Sequence, residues 1–355
     1  MIPVLPCPSD PRIRFFSRGL KSVRNSRKVS HSLLRCLRSV PVSDRAFDLK
    51  SSSGNHNLKK LLWLIAFLIT MLHVAVRDRW DWTAPLFYML PMPIVLFTLL
   101  CISVCFGIHH HHRHLITMCM LIVLLVFFWV HQSWCFNRPG HDRTNTRVLL
   151  WNAGRIGDCF PLALEALIEF SPDIVGLVES NGISRIPSRT RIGPDGRYQV
   201  VSFGQGMTVI TRGDVIGGIR EKTGHGSWFS DCRIRFSHRD VWIRLVDISS
   251  NPFRSRWSMF ERMSRDPDGS IPDVILGDFN TPSGACSFEP IRKNFHNAFE
   301  SAGMGFHATW PLPVRMMAID HIWVRNGIPI RGTEIVPFRF SDHALVLTDL
   351  SFPAR

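Results

Sequence analysis

The chain has 355 residues, a length with room for one large domain and an appendage, or for two domains. Its formal net charge is +14, which points to an anionic partner such as nucleic acid, phospholipid or another phosphate compound. Nine cysteines are present, and sequence alone does not fix their pairing.

The charge is uneven along the chain. Up to Lys60 there are thirteen Lys and Arg against three Asp and Glu. Residues 1–58 are basic, with Arg and Ser prominent and little periodicity, and read as a disordered cytoplasmic tail able to touch anionic lipid. Three apolar segments free of Asp, Glu, Lys and Arg follow, at 61–76, 84–108 and 115–130. The second is long enough to cross a bilayer with tilt, and the other two approach the ~20 residues a span needs. Residues 59–134 are therefore expected to form an anchor of three transmembrane helices. Trp80, Trp82, Trp129 and Trp134 sit near the segment ends, where an aromatic belt lies. The basic excess before Leu61 is a positive-inside signal, so three crossings place the rest of the chain outside the cytoplasm, on a multi-pass cell-membrane protein. The run "HHHHRH" (109–114) reads as a solvated, partly cationic loop. Cys101, Cys105 and Cys119 fall in the spans, whereas Cys135, Cys159, Cys232 and Cys286 fall in the outer part, where disulfides are permitted.

Residues 135–146 are polar, with Pro and Gly, and read as a linker. The pattern then changes for 147–355. "RVLLWNAG", "SPDIVGLVES", "GMTVITR", "CRIRF", "VWIRLVDIS", "PDVILGDFN", "MAIDHIWVR" and "HALVLTDLSF" have strand character, while "PLALEALIEF" and "RWSMFERMSR" have helical spacing. The outer part is thus a mixed α and β domain.

Chemistry gathers at the strand ends. Asn152 closes "LLWN", Glu179 closes "IVGLVE", and Asp278 and Asn280 close "VILGDFN". Asp320 stands in "AIDHIWV", and Asp342 and His343 precede the last strand. Each one alone is an ordinary turn residue; their recurrence is the signal. Hard carboxylate and amide oxygens suit Mg²⁺ or Mn²⁺, and a histidine beside them handles a proton near neutral pH.

The motifs "LLWNAG", "IVGLVES", "GMTVITR", "VILGDFNTP", "AIDHIWV" and "FSDHALV" together resemble the endonuclease/exonuclease/phosphatase superfamily, metal-dependent phosphoesterases with a DNase I-like fold. The resemblance implies a four-layer α/β/β/α sandwich after the three transmembrane helices. It implies Glu179 as the principal metal ligand, with Asn152 beside it and Asp342 as a further metal-side carboxylate. Asp278 would orient the attacking water and Asn280 would hold the phosphate. His343 would be the general base or the transition-state contact, oriented by Asp320. In one place the chain departs from the family: Ser249, in "IRLVDISSNP", stands where a phosphate-contacting histidine is usual. Arg254, Arg256, His225 or His238 would then supply the missing charge, with Arg254 and Arg256 taken as substrate-binding.

These features describe a membrane-anchored, Mg²⁺- or Mn²⁺-dependent phosphoesterase acting outside the cytoplasm. The layout resembles bacterial membrane members of the superfamily, and lipid-linked or phospholipid phosphates are the favoured substrates. A nuclease acting on extracytoplasmic DNA or RNA is the alternative within the same chemistry. A non-catalytic membrane sensor of a phosphate ligand is the alternative from another class. The bilayer and the phosphate ester are the expected partners, with no protein partner.

Overall fold

The computed structural model describes residues 52–108, 111–137, 146–154, 159–181, 189–224, 226–237, 239–266 and 268–352. The first 51 residues of the basic tail, most of the linker, His109, His110, His225 and His238 lie outside them. The chain divides at Trp63, and of the first unit only the start of α1 (Ser52–Met71) is described.

In the second unit, α1 ends in a π-helical turn, Leu72–Val76, followed by α2 (Ala84–Met89), α3 (Met92–Ile108) and α4 (His112–Ser133). Two stretches, His56–Val76 and His112–Ser133, are long and apolar enough to cross a membrane, and only 11% of the most apolar window of each is buried. Phe67, Val123 and Phe127 are exposed, a display that water penalises and lipid does not. The apolar run 84–108, expected as one span, is divided instead. Pro91 lacks the N–H that a continuing helix needs and restricts Leu90, so α2 stops there and α3 keeps 17 residues.

Among the described residues the rest of the chain builds two large sheets. One has seven strands, in the order β14 (Ile330–Val336), β15 (Leu345–Leu350), β2 (Thr146–Asn152), β3 (Ile174–Val178), β6 (Met207–Thr211), β5 (Tyr198–Gly204) and β4 (Arg191–Ile192). The other has six, in the order β11 (Phe295–Asn297), β13 (Asp320–Arg325), β10 (Val274–Asp278), β9 (Asp240–Asp247), β8 (Ser227–Arg235) and β7 (Asp214–Gly224). A short ribbon pairs β1 (Trp134–Phe136) with β12 (Met304–Phe306).

The inner faces meet in one apolar core, with Val148, Leu150 and Ile174 from the first sheet and Ile243, Leu276 and Ile322 from the second. Outside the seven-stranded sheet, Phe160, Ala163 and Leu167 of α5 (Phe160–Glu169) cover Trp151, Leu177 and Ile210. Outside the six-stranded sheet, Met259, Phe260 and Met263 of α6 (Trp257–Met263) cover Val246 and Ile275. The four layers follow from these three cores. Ala84, Phe87 and Tyr88 of α2 also lie in the last of them, so this apolar stretch is buried in protein rather than in lipid.

Each sheet has one parallel pair at its centre, β2 with β3 and β9 with β10, joined by the crossovers that contain α5 and α6. Parallel strands end together, and in such sheets functional groups gather beyond their carboxyl ends. Asn152 pairs in register with Val178 and Asp278 with Asp247, and these two strand ends adjoin each other across the sandwich. Gly277 makes the second pair possible: its φ is 152°, and an added Cβ would lie 1.9 Å from the carbonyl oxygen of Val246. Only glycine lets β9 and β10 approach this closely just before Asp278.

Candidate active site

At the strand ends Asn152 is the bridge between the sheets. It is fully buried, and its Nδ2 donates to Asp278 Oδ2 at 2.9 Å and, over a longer 3.5 Å, to Glu179 Oε1. Glu179 follows β3 with φ 53°, a left-handed backbone that swings its half-buried carboxylate out of the strand direction. Asn280 is likewise left-handed at φ 45°. Its backbone N–H donates to Asp278 Oδ1 at 2.7 Å, and its Nδ2 donates to Ile248 O at 2.8 Å and Asp278 Oδ2 at 3.1 Å. Both oxygens of Asp278 are thus held, and the carboxylate has one orientation.

Asp320 lies opposite Asp278 in the antiparallel register of β13 on β10. Its Oδ2 accepts from Thr309 Oγ1 at 2.6 Å and pairs with His343 Nδ1 at 2.8 Å. That bond fixes the imidazole's orientation and leaves Nε2 as its free edge. Asp342, half-buried, accepts from Trp310 Nε1 at 3.2 Å, and the Trp310 ring lies 6.3 Å from that of His343. A Cβ on Gly154, which is left-handed at φ 54°, would come within 3.0 Å of Asp342 Oδ1, so glycine leaves that carboxylate its room.

Burial and charge set the proton affinities. Burial opposes a charge on His343, yet Asp320, then Asp278 and Asp342, lift its pKa to about 9. Burial raises the Asp278 carboxyl well above the usual carboxylate range, Asp320 adds to this, and His343 pulls back. Asp320 Oδ1 is buried with no hydrogen-bond partner among the described residues.

Asp278, Asp320 and His343 bring one ligand atom each within 4.8 Å of one another. In this trio the imidazole and Asp320 already satisfy each other, which suits proton handling better than metal chelation. The hard oxygens of Glu179 and Asp342 suit a divalent cation of the Mg²⁺ type, which binds through one or two carboxylates and keeps waters for phosphate oxygens to replace. Among the described residues the acids Glu179, Asp278, Asp320 and Asp342 share one neighbourhood with His343, with Arg256 also near Asp278, an excess of acidic groups that a cation would relieve.

The two expected substrate-binding arginines separate. Arg254 is exposed. Arg256 is 2% exposed and lies beneath the loop, its Nη2 donating to Ser249 O at 2.6 Å and Asn251 O at 3.2 Å. Ser249 is itself tied into the fold, its N–H donating to Ser227 Oγ at 3.0 Å. Thr309 and Trp310 were not singled out from the sequence; they sit in a loop, and only the fold shows that they hold Asp320 and Asp342.

Residues 149–343, more than half of the chain, match the Endonuclease/Exonuclease/phosphatase family, and the chain belongs to it. Among curated proteins no sequence match was found. Similar solved structures include a humanised zebrafish TDP2 (13% identity, 58% of this chain and 99% of that one, TM-score 0.46). They also include the mannosyl-6-phosphatase of Bacteroides thetaiotaomicron (13%, 59% and 100%, TM-score 0.43). A third is the catalytic domain of human Nocturnin with bound sulfate (17%, 63% and 98%, TM-score 0.42).

Proposed function

We propose that the protein is a membrane-anchored, divalent-metal-dependent phosphoesterase whose domain faces away from the cytoplasm and hydrolyses lipid-linked or phospholipid phosphates. The observation that carries the reaction is the Asp320–His343 pair set beside Asp278 where the two parallel strand pairs end. Glu179, Asn152 and Asp342 would hold the Mg²⁺ or Mn²⁺ ion, which supplies Lewis-acid stabilisation of phosphate charge when bound. Asp278, whose raised proton affinity suits it to accept a proton, orients the attacking water. His343, charged at neutral pH, presents Nε2 to the phosphoryl oxygens as the transition-state contact, with Asp320 fixing its ring. Asn280 lines the same edge, Arg254 reaches for the remainder of an anionic substrate, and the buried charge of Arg256 stands behind Ser249, where the family usually has a histidine.

Packing supports the anchor. The turn after α1 packs on the sandwich, since Asp78 accepts the Cys286 N–H at 2.6 Å, so that turn and the domain share one side. Between them the chain must therefore cross an even number of times. The 22-residue α4 crosses, so α3 crosses as well, its 17 residues giving roughly 25 Å of helix against a ~30 Å core. With α1, that gives three spans, and the basic residues before Leu61 put the N-terminus in the cytoplasm. A domain held at the bilayer meets lipid phosphates at high effective concentration.

The test is turnover by the full chain in nanodiscs, with and without Mg²⁺, on lipid pyrophosphate, phospholipid and plasmid DNA. Metal-dependent phosphate release from a lipid substrate is expected; preferential cleavage of the plasmid would replace the substrate assignment with a nuclease. Absence of turnover on all three would overturn the enzymatic reading.

A further inference from the structure

The short turn between α1 and α3 has features that an idle connection does not need. Arg77 reverses the chain at φ 51° and its Nη1 donates to Gly284 O at 3.1 Å. Asp78 is 8% exposed although it stands in the short polar stretch "RDRWDW" between two apolar segments. Its Oδ1 accepts the Cys286 N–H, and its Oδ2 accepts the Ser287 N–H at 3.2 Å and the Tyr88 hydroxyl at 2.8 Å. Cys286 and Ser287 open the 3₁₀ turn Cys286–Phe288, whose own preceding residue, Ala285, gives no side-chain cap. Asp78 therefore caps that turn from more than two hundred residues away, satisfying N–H groups that a helix start leaves orphaned.

The capped turn lies directly after the loop that carries Asp278 and Asn280. Phe279, between those two residues, sits 5.5 Å from Phe288 and 5.6 Å from Phe260, ring centre to ring centre. Phe87 and Tyr88 complete the same apolar cluster. Tyr88 also faces Arg256, whose guanidinium carbon lies 6.0 Å from the ring centre. The arginine's Nε and Nη1 are buried with no hydrogen-bond partner among the described residues, while its Nη2 grips the carbonyls of Ser249 and Asn251. One turn of the anchor thus touches both loops that flank the phosphate-handling edge.

We propose that the turn Arg77–Pro91 is a positioning element of the active site. Asp78 and Tyr88 hold the loop after Asp278 and the loop after Ser249 in reactive register, so full turnover requires the anchor. This rests on the phosphoesterase reading for its kinetic consequence and on the hydrogen bonds above for its structural one.

The experiment uses the full chain in nanodiscs and compares Asp78→Ala, Tyr88→Phe and, as a control on the exposed face of the same turn, Asp81→Ala. Two readouts are taken: kcat and KM on the lipid substrate, and amide hydrogen exchange over residues 279–288. Asp78→Ala is expected to lower kcat about tenfold with KM within about twofold, as lost orientation does, and to speed exchange at Cys286 and Ser287. Tyr88→Phe, which removes one hydroxyl and keeps the ring, is expected to lower kcat about threefold without unfolding. Asp81→Ala should change neither readout. Unchanged kcat in folded Asp78→Ala and Tyr88→Phe proteins, or a loss matched by the unfolded fraction alone, would overturn the proposal. Faster exchange together with an inactive parent chain would remove the phosphoesterase reading and reduce the turn to a structural clamp, contrary to the proposal.

Discussion

Arg244 and Asp320 are both buried ionisable side chains on the six-stranded sheet, and they differ in how completely their surroundings satisfy them. Arg244 has all three of its guanidinium nitrogens engaged. Its Nε and Nη2 donate to the two oxygens of Asp231 at 2.7 Å each, its Nη1 donates to Met263 O at 2.8 Å, and Nη2 also meets Asp266. The rings of Phe229 and Trp242 lie 4.5 and 5.6 Å from its guanidinium carbon. Asp320 has one oxygen doubly bonded and the other without a partner among the described residues, and it faces a second carboxylate, Asp278. A cluster whose polar groups are all paired braces a fold. One that keeps an unpaired carboxylate oxygen leaves a place for a proton, ligand or ion, which fits the proposed catalytic role.

The contrast predicts opposite responses to mutation. Glu179→Ala or His343→Ala should lower turnover by about 10³-fold or more, because in the proposed reaction the first removes a metal ligand and the second a contact to developing charge, while the fold persists. Steady-state kinetics beside a thermal melt checks this; turnover within tenfold of the parent in both variants would contradict the site assignment. Asp320→Asn keeps the shape but gives His343 the wrong partner, and should lower kcat about 10²-fold with a small change in KM. Arg244→Met should do the reverse. It leaves Asp231 and Asp266 facing an empty pocket and should destabilise the fold by about 3 kcal/mol, read as a lowered melting midpoint, with kcat per folded molecule unchanged.

A smaller effect concerns pH. His307 is buried against Phe299, with ring centres 4.6 Å apart, and burial followed by neighbouring His321 lowers its pKa to about 3. Its folded pKa is below the unfolded value, so the unfolded chain binds the extra proton. Stability is therefore full above about pH 6.5 and falls on acidification towards pH 3, by about 2 kcal/mol at pH 5. His307→Gln should flatten that slope in a pH series of melts, and an unchanged slope would assign acid lability to other groups.

Much of the site was legible because its residues sit where strands stop. Asn152, Glu179 and Asp278 end apolar runs, Asp320 begins one, and His343 precedes another, so type and position agreed before the fold was known. The second apolar run was not legible. Periodicity cannot distinguish a helix buried in protein from one buried in lipid, and "APLFYM" satisfies both until Tyr88 and Phe87 are seen beside Phe260 and Phe279. Asp78 was missed for a similar reason: an acid in a short loop looks solvated, and its partners lie at Cys286 and Ser287. The burial of Arg256 was equally hidden, since nothing in "NPFRSRWS" tells which arginine turns inward.

The most direct test of the central claim is phosphate release from a lipid phosphate ester by the full chain in nanodiscs, stripped of metal and then given Mg²⁺, beside His343→Ala. Turnover should appear with Mg²⁺ and be lost in the variant. Release that ignores Mg²⁺ and survives His343→Ala, or no release from the folded, Mg²⁺-supplied parent, would contradict it.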